Sequence, residues 1–237
     1  MVSLRVHLEI ITVVIFIGSI ANTTRGSSDV VAGATTQSAD RADAQNALSK
    51  AAKAGDLPAV KAAIAAGASI NPVEKDENPL ILAAAYSRTD VARYLIKKKA
   101  NVNTVVRFGS ALHWAAVRGN VELAKILLEN GANVNEPSRA AGTPLHRAAE
   151  GGSPAVAALL IAKGADVNAK AAQDVTPLMV AVDEADAAGA AEDVVRLLIE
   201  KGADINARDS RGRTPLSIAK EVGNRAVITL LIAKGGK

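Results

Sequence analysis

The chain has no cysteine. Disulfides, thiolate metal sites, a cysteine nucleophile and a lipoprotein anchor are excluded together. Aromatic residues are nearly absent: Phe16, Tyr86, Tyr94, Phe108 and Trp114 are all there are. A core must therefore be built from Ala, Val, Leu and Ile, whose small side chains suit helices packed in thin, repeated layers. A strong excess of one charge is also missing. The net charge is +4 with acidic residues interspersed among the basic ones, unlike the dense basic face of a nucleic-acid binder, so nucleic acid is not an expected partner.

What is present begins with an apolar run from Ile10 to Ile20, eleven residues long. As a helix it reaches about 16 Å, against roughly 30 Å of hydrocarbon in a bilayer. With Arg5 ahead of it and the small residues Ser19 and Ala21 at the minus-three and minus-one positions, the segment reads as a secretory signal over residues 1–21, cleaved after Ala21. Glu9 at the border of the run leaves an uncleaved interfacial anchor as the alternative. No membrane span is expected in the mature chain, whose net charge stays at +4 because Arg5 and Glu9 leave together. Residues 22–45, rich in Thr, Ser, Gly, Ala and Asp, read as a flexible linker. Half of the whole chain is apolar, enough for a core.

From there one phrase recurs: GASIN from Gly67, KANVN from Lys99, GANVN from Gly131, GADVN from Gly164 and GADIN from Gly202, with a truncated copy at Gly235. The first residues lie 32, 32, 33, 38 and 33 apart, the signature of a stacked repeat. A second phrase precedes each copy, from NALSKAA at Asn46 and NPLILAA at Asn78 through SALHWAA at Ser110 and TPLHRAA at Thr143 to TPLMVAV at Thr176 and TPLSIAK at Thr214. Thr143 suits a helix N-cap and Pro144 the first helical position. Ala148 and Ala149 keep that helix thin, and Gly152 allows a turn into a second helix. In the second helices Leu123, Ile126 and Leu127, and their counterparts Val156, Leu159 and Leu160, recur at helical spacing and predict a continuous core. Gly131, Gly164 and Gly202 stand where that helix must end in a left-handed residue. Lys99 occupies the same place and Ser87 replaces the inter-helix glycine, so both are expected to carry strain.

These phrases resemble the ankyrin repeat family, whose pattern TPLHxAAxxG…LLxxGAdvN is matched most closely at Thr143–Asn168 and in six registers over residues 46–237. The resemblance implies an all-α solenoid of helix-turn-helix repeats at about 46–77, 78–107, 108–140, 141–173, 174–211 and 212–237, with loops projecting between them. It also implies that His113 and His146, at equivalent places in adjacent repeats, are structural ties between neighbours. Nothing resembles a nucleophile with its base, so no catalytic residue, cofactor or metal site is expected. Five extra residues at Ala185–Gly189 lie between the helices of repeat five, and the acidic residues around them lack the glycine and terminal glutamate of a calcium loop.

What remains is surface. In ankyrin proteins the loop tips and first-helix face line a concave binding side, and carried over here they supply the candidate protein-binding residues. The loops contribute Arg107, Arg139, Lys170, Arg208, Arg211 and Arg213. The first-helix face contributes Val117, Arg118, Glu150, Asp183 and Glu184. The basic loop bias points to an acidic patch on a protein partner. The expected molecule is thus a monomeric, non-catalytic scaffold or adaptor outside the cytoplasm, periplasmic or secreted. A secreted effector that binds a host protein is the alternative.

Overall fold

A computed structural model describes residues 30–72, 78–185 and 190–237, with side chains from Asp40 onward. The expected signal, residues 22–29 of the expected linker and most of the repeat-five insertion lie outside the described residues. The chain divides after Gln37, and the architecture below is that of the unit Ser38–Lys237.

Its helices come in pairs. They are α1 (Val30–Ala54) with α2 (Leu57–Ala65), α3 (Pro79–Ala85) with α4 (Thr89–Lys97), and α5 (Ala111–Val117) with α6 (Val121–Glu129). Then follow α7 (Pro144–Glu150) with α8 (Pro154–Ala162), α9 (Pro177–Asp183) with α10 (Ala190–Glu200), and α11 (Pro215–Val222) with α12 (Arg225–Ala233). First helices α3, α5, α7, α9 and α11 pack on one another in sequence, and second helices α2, α4, α6, α8, α10 and α12 form a parallel row. Among the described residues there is no strand, only single antiparallel bridges, Val106 with Gly109 and Ser138 with Gly142, at two loop tips.

The local chemistry explains the helix boundaries. Pro79, Pro144, Pro177 and Pro215 open their helices behind Asn78, Thr143, Thr176 and Thr214. The Thr176 hydroxyl accepts the Met179 N–H at 3.3 Å, and Asn78 Oδ1 accepts from Leu80 and Ile81 at 3.1 Å each, so the asparagine serves the capping role there. Buried Leu80, Leu112, Leu145 and Leu178 from the first helices meet Leu95, Leu127, Leu160 and Leu198 from the second. The pairs Ala83–Ala84, Ala115–Ala116 and Ala148–Ala149 are fully buried, and their size lets first helices approach closely.

Helix α1 corrects the expected linker over residues 30–45. The segment is helical from Val30, and the helix passes through Asn46 without a break. Residues 41–47 contain neither glycine nor proline, so nothing stops a helix rich in alanine before it reaches the core. Ala44, inside the expected linker, is buried beside Leu48. Gln45 Oε1 accepts the Ser69 N–H at 2.9 Å and ties this helix to the end of α2.

The anticipated strain is present at both departures from glycine: Ser87 has φ of 55° and Lys99 of 68°. Gln173 and Asp174, at 61° and 57°, add two left-handed residues at the loop tip before α9, which the sequence pattern does not announce.

Candidate protein-binding surface

Two hydrogen-bond ladders hold the repeats in register, and they determine which side chains are left for other work. His113 Nδ1 faces the Ser110 N–H at 3.0 Å, while its Nε2 lies 3.1 Å from the Gly142 carbonyl. A carbonyl only accepts, so Nε2 carries the proton and donates, and Nδ1 accepts from Ser110. His146 repeats the arrangement one step on, with Nδ1 3.1 Å from the Thr143 N–H and Nε2 3.0 Å from the Val175 carbonyl. Both imidazoles are buried. Burial lowers the pKa of His113 to about 4, the Gly142 carbonyl opposing and Arg147 adding to the fall. Burial also lowers that of His146, with the Val175 carbonyl opposing. The rings are neutral ties between loops, the role that the family resemblance implies for them.

The second ladder is made by the last residue of each recurring phrase. Asn71 Nδ2 donates to the Lys99 carbonyl at 3.0 Å and Asn71 Oδ1 accepts the Asn101 N–H at 2.7 Å. Asn103 clamps Gly131 and Asn133 at 2.9 Å each, and Asn135 clamps Gly164 at 2.9 Å and Asp166 at 2.8 Å. Asn168 holds Gly202 and Asp204 at 3.1 and 2.7 Å, and Asn206 holds Gly235 and Lys237 at 3.2 and 2.8 Å. Each amide uses its donor and its acceptor on one neighbouring turn, so the carbonyl of the left-handed residue never lacks a partner. Sequence reasoning noted the recurring phrase but gave its last asparagine no role. Their period was the available signal.

The candidate cations divide by what the fold does with them. Arg213 is half-buried, with Nε 2.8 Å from Asp209 Oδ2 and Nη1 3.5 Å from Glu221 Oε2. Burial acts to raise the Asp209 pKa, but the Arg213 N–H and guanidinium and the Arg211 N–H outweigh it and hold the carboxyl below its usual range. This arginine holds its own loop together. Arg118 donates from Nε to the Ala85 carbonyl at 2.9 Å, Arg208 from Nη1 to the Gly212 carbonyl at 2.9 Å, and Lys170 pairs with Asp174 at 3.3 Å. Arg118, Arg208 and Lys170 are nonetheless exposed, as are Arg107, Arg139 and Arg211 at the tips, and the difference between the two groups lies in their partners. Arg107 lies over the Phe108 ring, 5.5 Å from its centre. The side chains of Arg139 and Arg211 have no hydrogen bond or ion pair among the described residues.

On the first helices, Glu150 bonds the buried Arg147, whose guanidinium lies 5.4 Å from the centre of the Trp114 ring. Desolvation raises the Asp183 pKa, Arg213 pulling it back and Glu221 adding to the rise. Glu184 is exposed at the end of α9, and Val117 is partly buried at the end of α5. A β-carbon on Gly151 would lie 2.2 Å from the Val117 carbonyl oxygen, so these two helix ends meet backbone to backbone. Sequence reasoning did not single out Tyr86 and Phe108, which are 46% and 48% exposed on the same helix ends and loop tips and add apolar surface.

Neighbouring tips are tied to one another. Ser138 Oγ donates to the Arg107 carbonyl at 3.1 Å, and the Ser210 N–H donates to the Gln173 carbonyl at 2.9 Å. Arg139 and Glu150 share one cleft with His146, Ala171, Val175 and Val180, so loop tips and first helices face the same side. No group of three His, Cys, Asp or Glu is placed to hold a metal ion among the described residues, and no helix there is long and apolar enough to cross a membrane.

No curated protein matches the chain. A family model described as ankyrin repeats in three copies matches residues 20–106, 105–171 and 170–237. Ankyrin repeats are protein–protein interaction modules, and the family is typically a non-catalytic binding scaffold. Stacked helix pairs, ladders that bind each repeat to the next, and a model that covers the chain from residue 20 to its last residue agree, and the chain belongs to the ankyrin repeat family.

Proposed function

We propose that this protein is an exported, monomeric scaffold that holds an acidic protein surface through its loop tips and first-helix face. The observation that supports this is the division of the cations. Arg118, Arg208, Arg213 and Lys170 are engaged within the fold, whereas the side chains of Arg107, Arg139 and Arg211, on successive or nearby tips, make no hydrogen bond or ion pair among the described residues. Guanidinium groups suit bidentate pairing with carboxylates. Tips that are already hydrogen-bonded to one another lose little freedom on docking, which favours binding over mere solvation of the charges.

A crosslinking pull-down from the native envelope, with the mature protein as bait, identifies the partner. Mass spectrometry of the exported protein should find Asn22 first, and a retained Met1 in the membrane fraction would overturn export by a cleaved signal. With the partner identified, the triple variant Arg107→Ala, Arg139→Ala, Arg211→Ala should associate more slowly and bind at least tenfold more weakly at low salt. Its thermal midpoint should hardly move, because exposed charges contribute little to folding. Raising the salt should reproduce the variant's weakness in the wild type. Equal affinity of the two at low ionic strength would refute the loop-tip reading.

A further inference from the structure

The cleft shared by Arg139 and Glu150 has a volume of about 200 Å³. A cavity of roughly 150 Å³ already admits a benzene ring, so there is room for one aliphatic side chain. Its walls are two loop tips. One is the turn closed by Ser138 and Gly142, and the other is the turn in which the Ala171 N–H donates to the Val175 carbonyl at 2.9 Å. His146 fastens the walls from beneath through that same Val175 carbonyl. The lining is mostly apolar, supplied by Ala140, Ala141, Ala171, Val175 and Val180, and the charged groups are Arg139 and Glu150. Glu150 is engaged by Arg147. That leaves Arg139 as the charge on the rim that is free to meet a ligand.

We propose that this cleft anchors a single aliphatic side chain, of leucine size, from an extended acidic segment of the partner. The proposal rests on the reading of the loop tips as a binding surface and adds a register to it. Packed helices lie about 10 Å apart, and an extended chain advances about 3.3 Å per residue, so successive tips are about three residues apart along a bound strand. Side chains alternate between the two faces of such a strand, so a residue that meets Arg139 and one that enters the neighbouring cleft are an even number of positions apart. The cleft lies between the Arg139 tip and the next, which puts the aliphatic residue two positions beyond a carboxylate on Arg139, on the same face of the strand.

The probe is a blocked peptide with one Asp and a Leu two residues after it, in both chain directions. Matched peptides carry Ala in place of Leu, or Asn in place of Asp. At low ionic strength the Leu peptide should shift the backbone NMR signals of Ala171, Val175 and Val180 and bind about tenfold more tightly than the Ala peptide, the gain expected from half-burying three extra methylene equivalents. Ala171→Leu fills the cleft without changing a charge and should abolish that preference. Ala140→Leu fills it from the opposite wall and serves if the first variant folds poorly. Equal binding of the Leu and Ala peptides, no binding by either, or shifts confined to other residues would overturn the anchor. Separately, equal binding of the Asp and Asn peptides would count against the electrostatic reading of the tips, whatever the Leu preference.

Discussion

Lys99 carries out with a side chain what Gly131, Gly164 and Gly202 do without one, and its φ of 68° places its β-carbon in the unfavourable left-handed region. Its carbonyl is held by Asn71, so the turn cannot relax without breaking a rung. Lys99→Gly should raise stability by about 1 kcal/mol, measured as a shift of the urea midpoint at unchanged slope. At His113 the controlling quantity is solvation. With a folded pKa of about 4 against an ordinary 6.5, the unfolded chain takes up a proton that the folded ring refuses. Stability should fall as the pH drops from 6.5 toward 4, by on the order of 3 kcal/mol, with His146 acting in the same direction. Asp209 extends the loss further: its folded pKa lies below its ordinary 3.8, so its contribution is complete above that pH and disappears as the pH falls below it. Urea titrations between pH 3 and 8, with an NMR titration of the His113 ring, check both windows. A ring midpoint near 6.5 would contradict the buried neutral tie.

At the level of helices and turns, the asparagine rungs carry coupling that the aliphatic core does not. Asn135 joins the turn after α6 to the turn after α8 through both ends of its amide. Asn135→Ala should cost about 1–2 kcal/mol, the value of two partly exposed hydrogen bonds, and should broaden the unfolding transition as neighbouring repeats lose cooperativity. The core pattern of these elements was legible from the sequence because it repeats: Leu127, Leu160 and Leu198 occupy one register and are all fully buried. The left-handed positions at Ser87 and Lys99 were legible for the same reason, as exceptions to a glycine rule. Helix α1 was not, since a Thr- and Ser-containing stretch before Asn46 has no period, and its helicity follows from the absence of a stop and the packing of Ala44 and Leu48. The candidate surface was legible by position alone. Which arginines the fold keeps for itself depends on a carboxylate four residues away, as for Arg213 and Asp209, or on a carbonyl of the preceding repeat, as for Arg118 and Ala85. No linear pattern announces either.

Across the whole array, stability is a sum over neighbours. The second helix of the first pair presents Ala59 and Ala63 where α6 presents Leu123 and Leu127, so hydrogen exchange should find the outer pair α1–α2 opening before α5 to α8. The best protection at that end would contradict this. The two ladders have a further consequence, for how such a gene can change. Removing residues 136–168 would join Asn135 to Ala169. Asn135 would then stand where Asn168 stood, facing Gly202 and Asp204, and His113 would face the Val175 carbonyl that His146 meets in the intact chain. Every rung of the two ladders lost at the cut has a replacement waiting, whereas the bond from Ser138 to the Arg107 carbonyl has none, because Ala171 takes its place. Loss or gain of a whole unit thus keeps both ladders continuous, and the number of rungs can change without any rung losing its partner.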